Sequence, residues 1–324
     1  MSRTMSAVTF AGFGSPEVLE ITELPVPAPA PGEVLIRVAA AAVNPTDILM
    51  RSGKQAAMMT ALTPPYIAGM EFSGHVAAPG DGVTDIAVGQ PVIGVVNPRR
   101  QAGGAHTQYL CVPAASVAAI ADHIDLVGAG AVAMNALTAQ MALDMRGLKP
   151  GQAVLITGGA GALGGAAIQL GRRAGFKVVA NAAEADWPLL ARLGADICVP
   201  RGEGMADAIR TSLPDGVDGL IDGALIGNDV SHLVRAGGVA VSLRMAAPIH
   251  DDRLRTTYVS VIDGLQRGDI LTAVAGHLAA GTLTARLADG GRFSFRDAVA
   301  ANRMAEAGGF RGRVVLIFDD ALAS

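Results

Sequence analysis

The stretch Val154-Leu155-Ile156-Thr157-Gly158-Gly159-Ala160-Gly161-Ala162-Leu163-Gly164-Gly165 decides the fold. Its branched apolar run reads as a buried strand, which passes through glycines into Ala166-Ala167-Ile168-Gln169-Leu170, a good helix opening. Strand, tight turn and helix in that order make an anion site. Glycines let backbone approach a pyrophosphate, and the new helix points unpaired N–H groups and its positive dipole end at the charge. Glycine-rich turns also occur with no ligand, so the fingerprint gains its weight from the strand-to-helix context.

Working outward, residues 123–262 alternate strand and helix. Extended runs at 177–181, 197–200, 220–222 and 239–243 are separated by helical patterns at 187–193 and 205–212, and 258–261 offers a sixth strand. Repeated βα units imply an α/β fold with a doubly wound parallel sheet and right-handed crossovers. Residues 1–122 carry short extended runs at 33–43, 72–77, 90–96 and 107–112, broken by Gly and Pro, which predicts an irregular antiparallel β domain. Pro25-Val26-Pro27-Ala28-Pro29-Ala30-Pro31-Gly32 reads as an extended surface connection, because proline fixes φ and disfavours helix. In the tail, 263–324, a helix to about 280 precedes strands at 286–287 and 313–318, and this tail is expected to return to the first domain.

With 324 residues, 51% of them hydrophobic and 17% charged, the chain can build two domains with real cores and is not disordered. A net charge of -4 without a block of like charge gives no reason to expect nucleic acid or an anionic membrane as partner. The N-terminal residues lack the apolar core of a signal peptide and no apolar run approaches the ~20 residues of a membrane span, so a cytoplasmic protein acting on small molecules is expected. Cys111 and Cys198 are too few for a disulfide framework and read as small core residues.

Several chemistries lack their residues. Tyr66, Tyr109 and Tyr258 have no lysine four residues on, which removes the Tyr-Lys pair of short-chain reductases. Gly165-Ala166 stands where a phosphate-hydrolysing loop would have Lys-Ser/Thr, and no Gly-x-Ser-x-Gly elbow is present.

Pieces along nearly the whole chain carry a resemblance. They are Gly12-Phe13-Gly14-Ser15-Pro16-Glu17-Val18-Leu19, Pro31-Gly32-Glu33-Val34-Leu35-Ile36-Arg37-Val38, Asn44-Pro45-Thr46-Asp47, Arg51-Ser52-Gly53, Gly103-Gly104-Ala105-His106-Thr107-Gln108-Tyr109 and Leu148-Lys149-Pro150-Gly151-Gln152 before the glycine turn. Together they resemble the medium-chain dehydrogenase/reductase superfamily, and within it the zinc-independent quinone oxidoreductases. The resemblance implies a GroES-like catalytic domain (1–122, completed by 263–324), a Rossmann domain (123–262) and a nicotinamide cleft where they meet. Zinc alcohol dehydrogenases of similar fold place a cysteine in the Asn44-Pro45-Thr46-Asp47 stretch and a histidine at the position of Met70. A thioether is a poor zinc ligand, so no metal is expected; His75 and His106 lack partners for a site.

A cleft without a Lewis acid is poorly equipped for simple ketones and alcohols but suits conjugated acceptors. Hydride added to a quinone or enone leaves a delocalised phenolate or enolate that water or a hydroxyl can protonate. The resemblance then assigns roles. Gly158, Gly159, Ala160, Gly161, Ala162, Leu163 and Gly164 form the pyrophosphate turn. Asn44 hydrogen-bonds near the nicotinamide ribose, or caps the turn before Pro45. Thr138 lies by the nicotinamide, or is a structural hydroxyl. Ser242 lies where backbone meets the carboxamide, Asn181 ends the second strand of the site, and Asn44, Asp47 and Tyr109 are the catalytic candidates, Asp47 and Tyr109 as a polar cleft wall.

Two departures bear on specificity. Leu49 stands where many quinone oxidoreductases carry a tyrosine that orients substrate or donates a proton. After the second strand comes Asn181-Ala182-Ala183-Glu184-Ala185-Asp186-Trp187, with no basic residue before Arg192 to meet a 2′-phosphate. The resemblance favours NADPH and the local charges favour NADH; NADPH is the expectation, NADH the alternative. Other functions in view are a non-catalytic NAD(P)H-binding structural or regulatory protein and an enoyl-thioester reductase. A homodimer joined through the edge of the Rossmann sheet is expected, with Val259-Ser260-Val261-Ile262 as its apolar edge.

Overall fold

The computed structural model describes residues 3–144, 147–243 and 248–322. It divides into two compact units, Met1–Met134 with Leu265–Ser324, and Asn135–Gly264. Their strands, in chain order, are β1 Thr4–Thr9, β2 Glu20–Pro25, β3 Glu33–Ala42, β4 Glu71–Pro79, β5 Pro91–Val95, β6 Tyr109–Pro113, β7 Val117–Ala119, β8 Ala153–Thr157, β9 Lys177–Asn181, β10 Ile197–Val199, β11 Val217–Asp222, β12 Val234–Ser242, β13 Arg255–Tyr258, β14 Leu287–Ser294 and β15 Arg313–Ile317. The helices are α1 Pro45–Arg51, α2 Leu126–Ala129, α3 Ala133–Leu143, α4 Ala162–Arg173, α5 Trp187–Leu193, α6 Met205–Ser212, α7 Gly268–Ala279 and α8 Ala298–Ala307.

In the second unit all six strands are parallel, in the order β10-β9-β8-β11-β12-β13. Counted along the unit this is the order 3-2-1-4-5-6 of a dinucleotide-binding sheet. Every residue of β8 is buried, as expected for a strand covered on both faces. Next to it, α4 buries its small residues Gly164, Gly165, Ala166 and Ala167 together with Ile168 and Leu170. The edge strand differs from the sequence expectation. It is Arg255–Tyr258, not 258–261, because Ser260 turns the chain by accepting the N–H groups of Asp263 on its carbonyl and Ile262 on its hydroxyl.

The first unit is built on the seven-stranded sheet β14-β15-β3-β4-β5-β7, with β6 also paired to β3, and a β1–β2 hairpin beside it. Its core gathers Val34, Ile36, Val38, Phe72, Val76, Leu110, Val112, Phe295, Leu316 and Phe318. The tail returns to this unit, with Val315 opposite Ala42 on β3. Residues 123–134 also belong here, since α2 packs on β3 and β4. One pairing departs from the antiparallel expectation. β14 and β15 run parallel because α8 crosses over between them, a helix the sequence pattern did not signal.

Candidate functional site

At the carboxyl end of β8 the chain turns through Gly158, whose φ of 68° is left-handed and natural only for glycine. The end of β9 holds the turn from below. Asn181 accepts the Gly158 N–H on Oδ1 at 2.7 Å and the Gly159 N–H on its carbonyl at 3.0 Å, while its Nδ2 donates to the Met205 sulfur at 3.4 Å. Gly161 is the N-cap of α4 and supplies no capping side chain, so the first turn of a twelve-residue helix begins without an internal anion. Gly164 sits so close beneath the turn that a Cβ there would stand 2.3 Å from the Gly158 carbonyl oxygen. Glycine turn, bare helix start and strand order together fit the pyrophosphate of a dinucleotide.

A second buried network lies at the ends of β8 and β11. The Thr157 hydroxyl donates to Asp222 Oδ1 at 2.6 Å and accepts the Ala224 N–H at 3.0 Å, while Asp222 Oδ2 accepts the Gly227 N–H at 2.7 Å. Asp222 is fully buried, so these bonds are what make its burial tolerable. Sequence reasoning missed both residues. The available signal was an acid ending the apolar run Leu220-Ile221-Asp222.

The first unit gathers Asn44 and Asp47 into another buried group. Asp47, at the third position of α1, accepts the Asn44 N–H at 2.8 Å and the Gly69 N–H at 2.9 Å, so it closes a capping box and ties α1 to the start of β4. His106 Nε2 lies 3.0 Å from the Ala42 carbonyl and 4.0 Å from the same carboxylate. Arg313 of β15 donates through Nη2 to Asn44 Oδ1 and, at 3.1 Å, to Glu71 Oε1. The second Glu71 oxygen accepts the Met134 N–H at 2.9 Å, in the first turn of α3. Burial pushes the Glu71 carboxyl above the usual carboxylate range, against the pull of Arg313, the Met134 N–H and nearby Asn44. The Asn44 Nδ2 itself is buried without a well-formed hydrogen bond.

The other expected residues are dispersed. Tyr109 pairs across from Arg37, receives a hydrogen bond from Arg3 on its hydroxyl, and packs with Met5, Leu35 and Cys111 rather than with the Asn44 group. Thr138 is buried on α3. Ser242 ends β12, with its hydroxyl accepting the Ile249 N–H at 3.0 Å. Met70 is buried beside Glu71. Among the described residues no group of three or more His, Cys, Asp or Glu side chains is placed to hold a metal ion. Past β9, Glu184 is exposed and Asp186 is buried at the start of α5.

Residues 30–122 match the alcohol dehydrogenase GroES-like domain. The chain is 30% identical to a quinone oxidoreductase of Sus scrofa over 247 residues, 74% of this chain and 73% of that one. It is 27% identical to an NADPH-dependent alkenal/one oxidoreductase of Arabidopsis thaliana over 322 residues, 97% of this chain and 80% of that one. A mycobacterial quinone oxidoreductase structure superposes with a TM-score of 0.81 at 27% identity, covering 97% of this chain and 99% of the other. A GroES-like fold and a six-stranded dinucleotide sheet in one chain define an NAD(P)H oxidoreductase. The chain belongs to the medium-chain dehydrogenase/reductase superfamily, in its quinone oxidoreductase family.

Proposed function

We propose that the protein reduces quinones or α,β-unsaturated carbonyls with NADPH and without a catalytic metal. The donor set at Asn44, Met70 and Glu71 carries the choice of acceptor. It offers an amide, a thioether and a carboxylate already engaged by Arg313 and the Met134 N–H, which is unsuited to a tetrahedral zinc site. The names of the two relatives support the acceptor class, and one of them supports NADPH.

Bound NADPH supplies hydride. The glycine turn binds the pyrophosphate, held in shape by Asn181. Asn44 is proposed to bind the ribose, with its side chain fixed by Arg313 and its backbone by Asp47. Thr138 and Ser242 are assigned to the nicotinamide, and Asp47 acts by holding Asn44 and Gly69, whereas Tyr109, packed with Met5, Leu35 and Cys111, is not part of this group. With Leu49 in place of a hydroxyl, the proton for the enolate or phenolate comes from water. Protonation by water makes turnover insensitive to any single side-chain acid.

Stopped-flow mixing of the NADPH complex with a panel of quinones and enones is expected to give fast NADPH oxidation, unchanged after dialysis against a chelator. Oxidation no faster than in buffer would favour a binding protein instead. In the same assay Glu184→Ala is expected to raise the NADPH/NADH ratio of kcat/KM about three- to tenfold, since an exposed carboxylate beside a 2′-phosphate repels it. An unchanged ratio removes Glu184 from cofactor choice.

A homodimer through the outer edge of β13 is part of this proposal. All four residues of that terminal strand are exposed, including Tyr258 at 41%, and among the described residues its outer backbone edge has no neighbour in the sheet. Sedimentation is expected to give twice the 32.8 kDa chain mass, and a single-chain mass would refute the dimer.

A further inference from the structure

Leu225 is the one described non-glycine residue in left-handed backbone, with φ 58°. In that region the Cβ of an L-residue crowds the following carbonyl, so a leucine there is strained where a glycine is not. Glycines flank it at Gly223 and Gly227, the latter itself at φ 72°. Of the two left-handed positions in this loop, one carries glycine and the other carries a leucine side chain.

The loop is held from two sides. The Thr157 hydroxyl takes the Ala224 N–H at 3.0 Å, and the Asp222 carboxylate takes the Gly227 N–H at 2.7 Å, with Thr157 and Asp222 bonded to each other at 2.6 Å. It also leans on the phosphate turn. A Cβ on Gly158 would meet Ala224 N at 3.3 Å and Ala224 Cβ at 3.4 Å. The loop leaves the carboxyl end of β11, and β11 adjoins β8 where the strand order reverses, the crevice in which such sheets bind ligands. Leu225 is half-buried, which leaves part of its apolar surface open to a further contact.

We propose that Leu225 is held in strained backbone so that its side chain packs against the bound dinucleotide, making it a cofactor-contact residue. This rests on NAD(P)H occupying the β8–β11 crevice. The cost of the strain is borne by the protein without cofactor and is repaid by apolar contact on binding.

Calorimetric titration of NADPH and NADH, with thermal melts of the cofactor-free protein, tests it. Leu225→Gly is expected to raise the melting temperature and weaken binding of the preferred cofactor about five- to tenfold. Leu225→Ala, which keeps the strain, is expected to weaken binding similarly with no gain in melting temperature. A Kd within about twofold of the unaltered protein for both variants overturns the proposal. So does a lower melting temperature for Leu225→Gly, which would make Leu225 a packing residue. If the unaltered protein binds neither cofactor, the functional reading falls, and this assignment with it.

Discussion

Alanine at Gly164 is expected to abolish useful cofactor binding, weakening NADPH about a hundredfold, and to destabilise the protein by about 1–3 kcal/mol. The added Cβ would stand 2.3 Å from the Gly158 oxygen, 2.8 Å from its carbonyl carbon and 2.8 Å from Gly159 Cα. All three are backbone atoms, so no rotamer can relieve the clash. Either α4 moves away from the turn or the turn moves into the space of the pyrophosphate. Both displace amide donors by a sizeable part of an ångström, and each charge-assisted hydrogen bond lost from an anion is worth about 1.5–3 kcal/mol. Gly165→Ala is the control. Its Cβ would find only Leu193 Cδ1 at 3.4 Å and the Gly159 oxygen at 3.8 Å, which are ordinary contacts, and alanine favours helix. That variant is expected to bind NADPH as the unaltered protein does, with equal or higher stability. Equal effects at 164 and 165 would show that the glycines serve flexibility and not close approach. Titration calorimetry and thermal melts read both variants.

The contrast between those two neighbouring glycines shows what the sequence could and could not display. Periodicity exposed the elements of the second unit well. Branched runs placed β8 and β9 almost to the residue, because a strand buried on both faces leaves an uninterrupted apolar signature, and the partly buried edge strand β10 stands out by its branched residues Ile197 and Val199. β13 was misplaced because its residues, all exposed, carry no such signature, whereas the apolar residues just after it attracted the assignment. α8 is hidden for a different reason, since beyond Val299 and Met304 its residues are small or polar and no run of large apolar side chains marks it. Of the site, the glycine turn was legible as a local motif. The groups that hold it were not. Asn181 reads as a candidate cofactor ligand from its place at a strand end, yet its side chain is engaged with Gly158 and Met205. Thr157 and Asp222 are 65 residues apart, and Glu71 and Arg313 are 242 apart. Pairings over such separations follow from topology, which spacing alone does not encode.

Arg313 is where that long-range pairing matters most for stability. Arg313→Met is expected to cost about 3–5 kcal/mol, because it removes the one cation that, among the described residues, is hydrogen-bonded to the fully buried Glu71 carboxylate. Glu71 would keep the Met134 N–H, and Asn44 Oδ1 would lose the hydrogen bond from Arg313. The loss should depend on pH in a defined sense. Burial already raises the Glu71 pKa above its ordinary 4.5. A carboxyl whose folded pKa lies above its unfolded one binds more protons when folded, so stability falls as pH rises from the unfolded value to the folded one. Without Arg313 the folded pKa rises further and that window widens upward. The variant should therefore sit closer to the unaltered protein at about pH 5 than at about pH 8, where ionisation has to be either suppressed or endured. Glu71→Gln/Arg313→Met separates charge from shape. Glutamine cannot ionise, but its carbonyl still accepts the Met134 N–H, so the double variant is expected to recover most of the lost stability and to lose this pH dependence. Thermal melts of the three proteins across pH decide the matter. A double variant as unstable as Arg313→Met alone would mean that the guanidinium acts by filling space between β15, α1 and β4, and that the buried charge is not what it offsets.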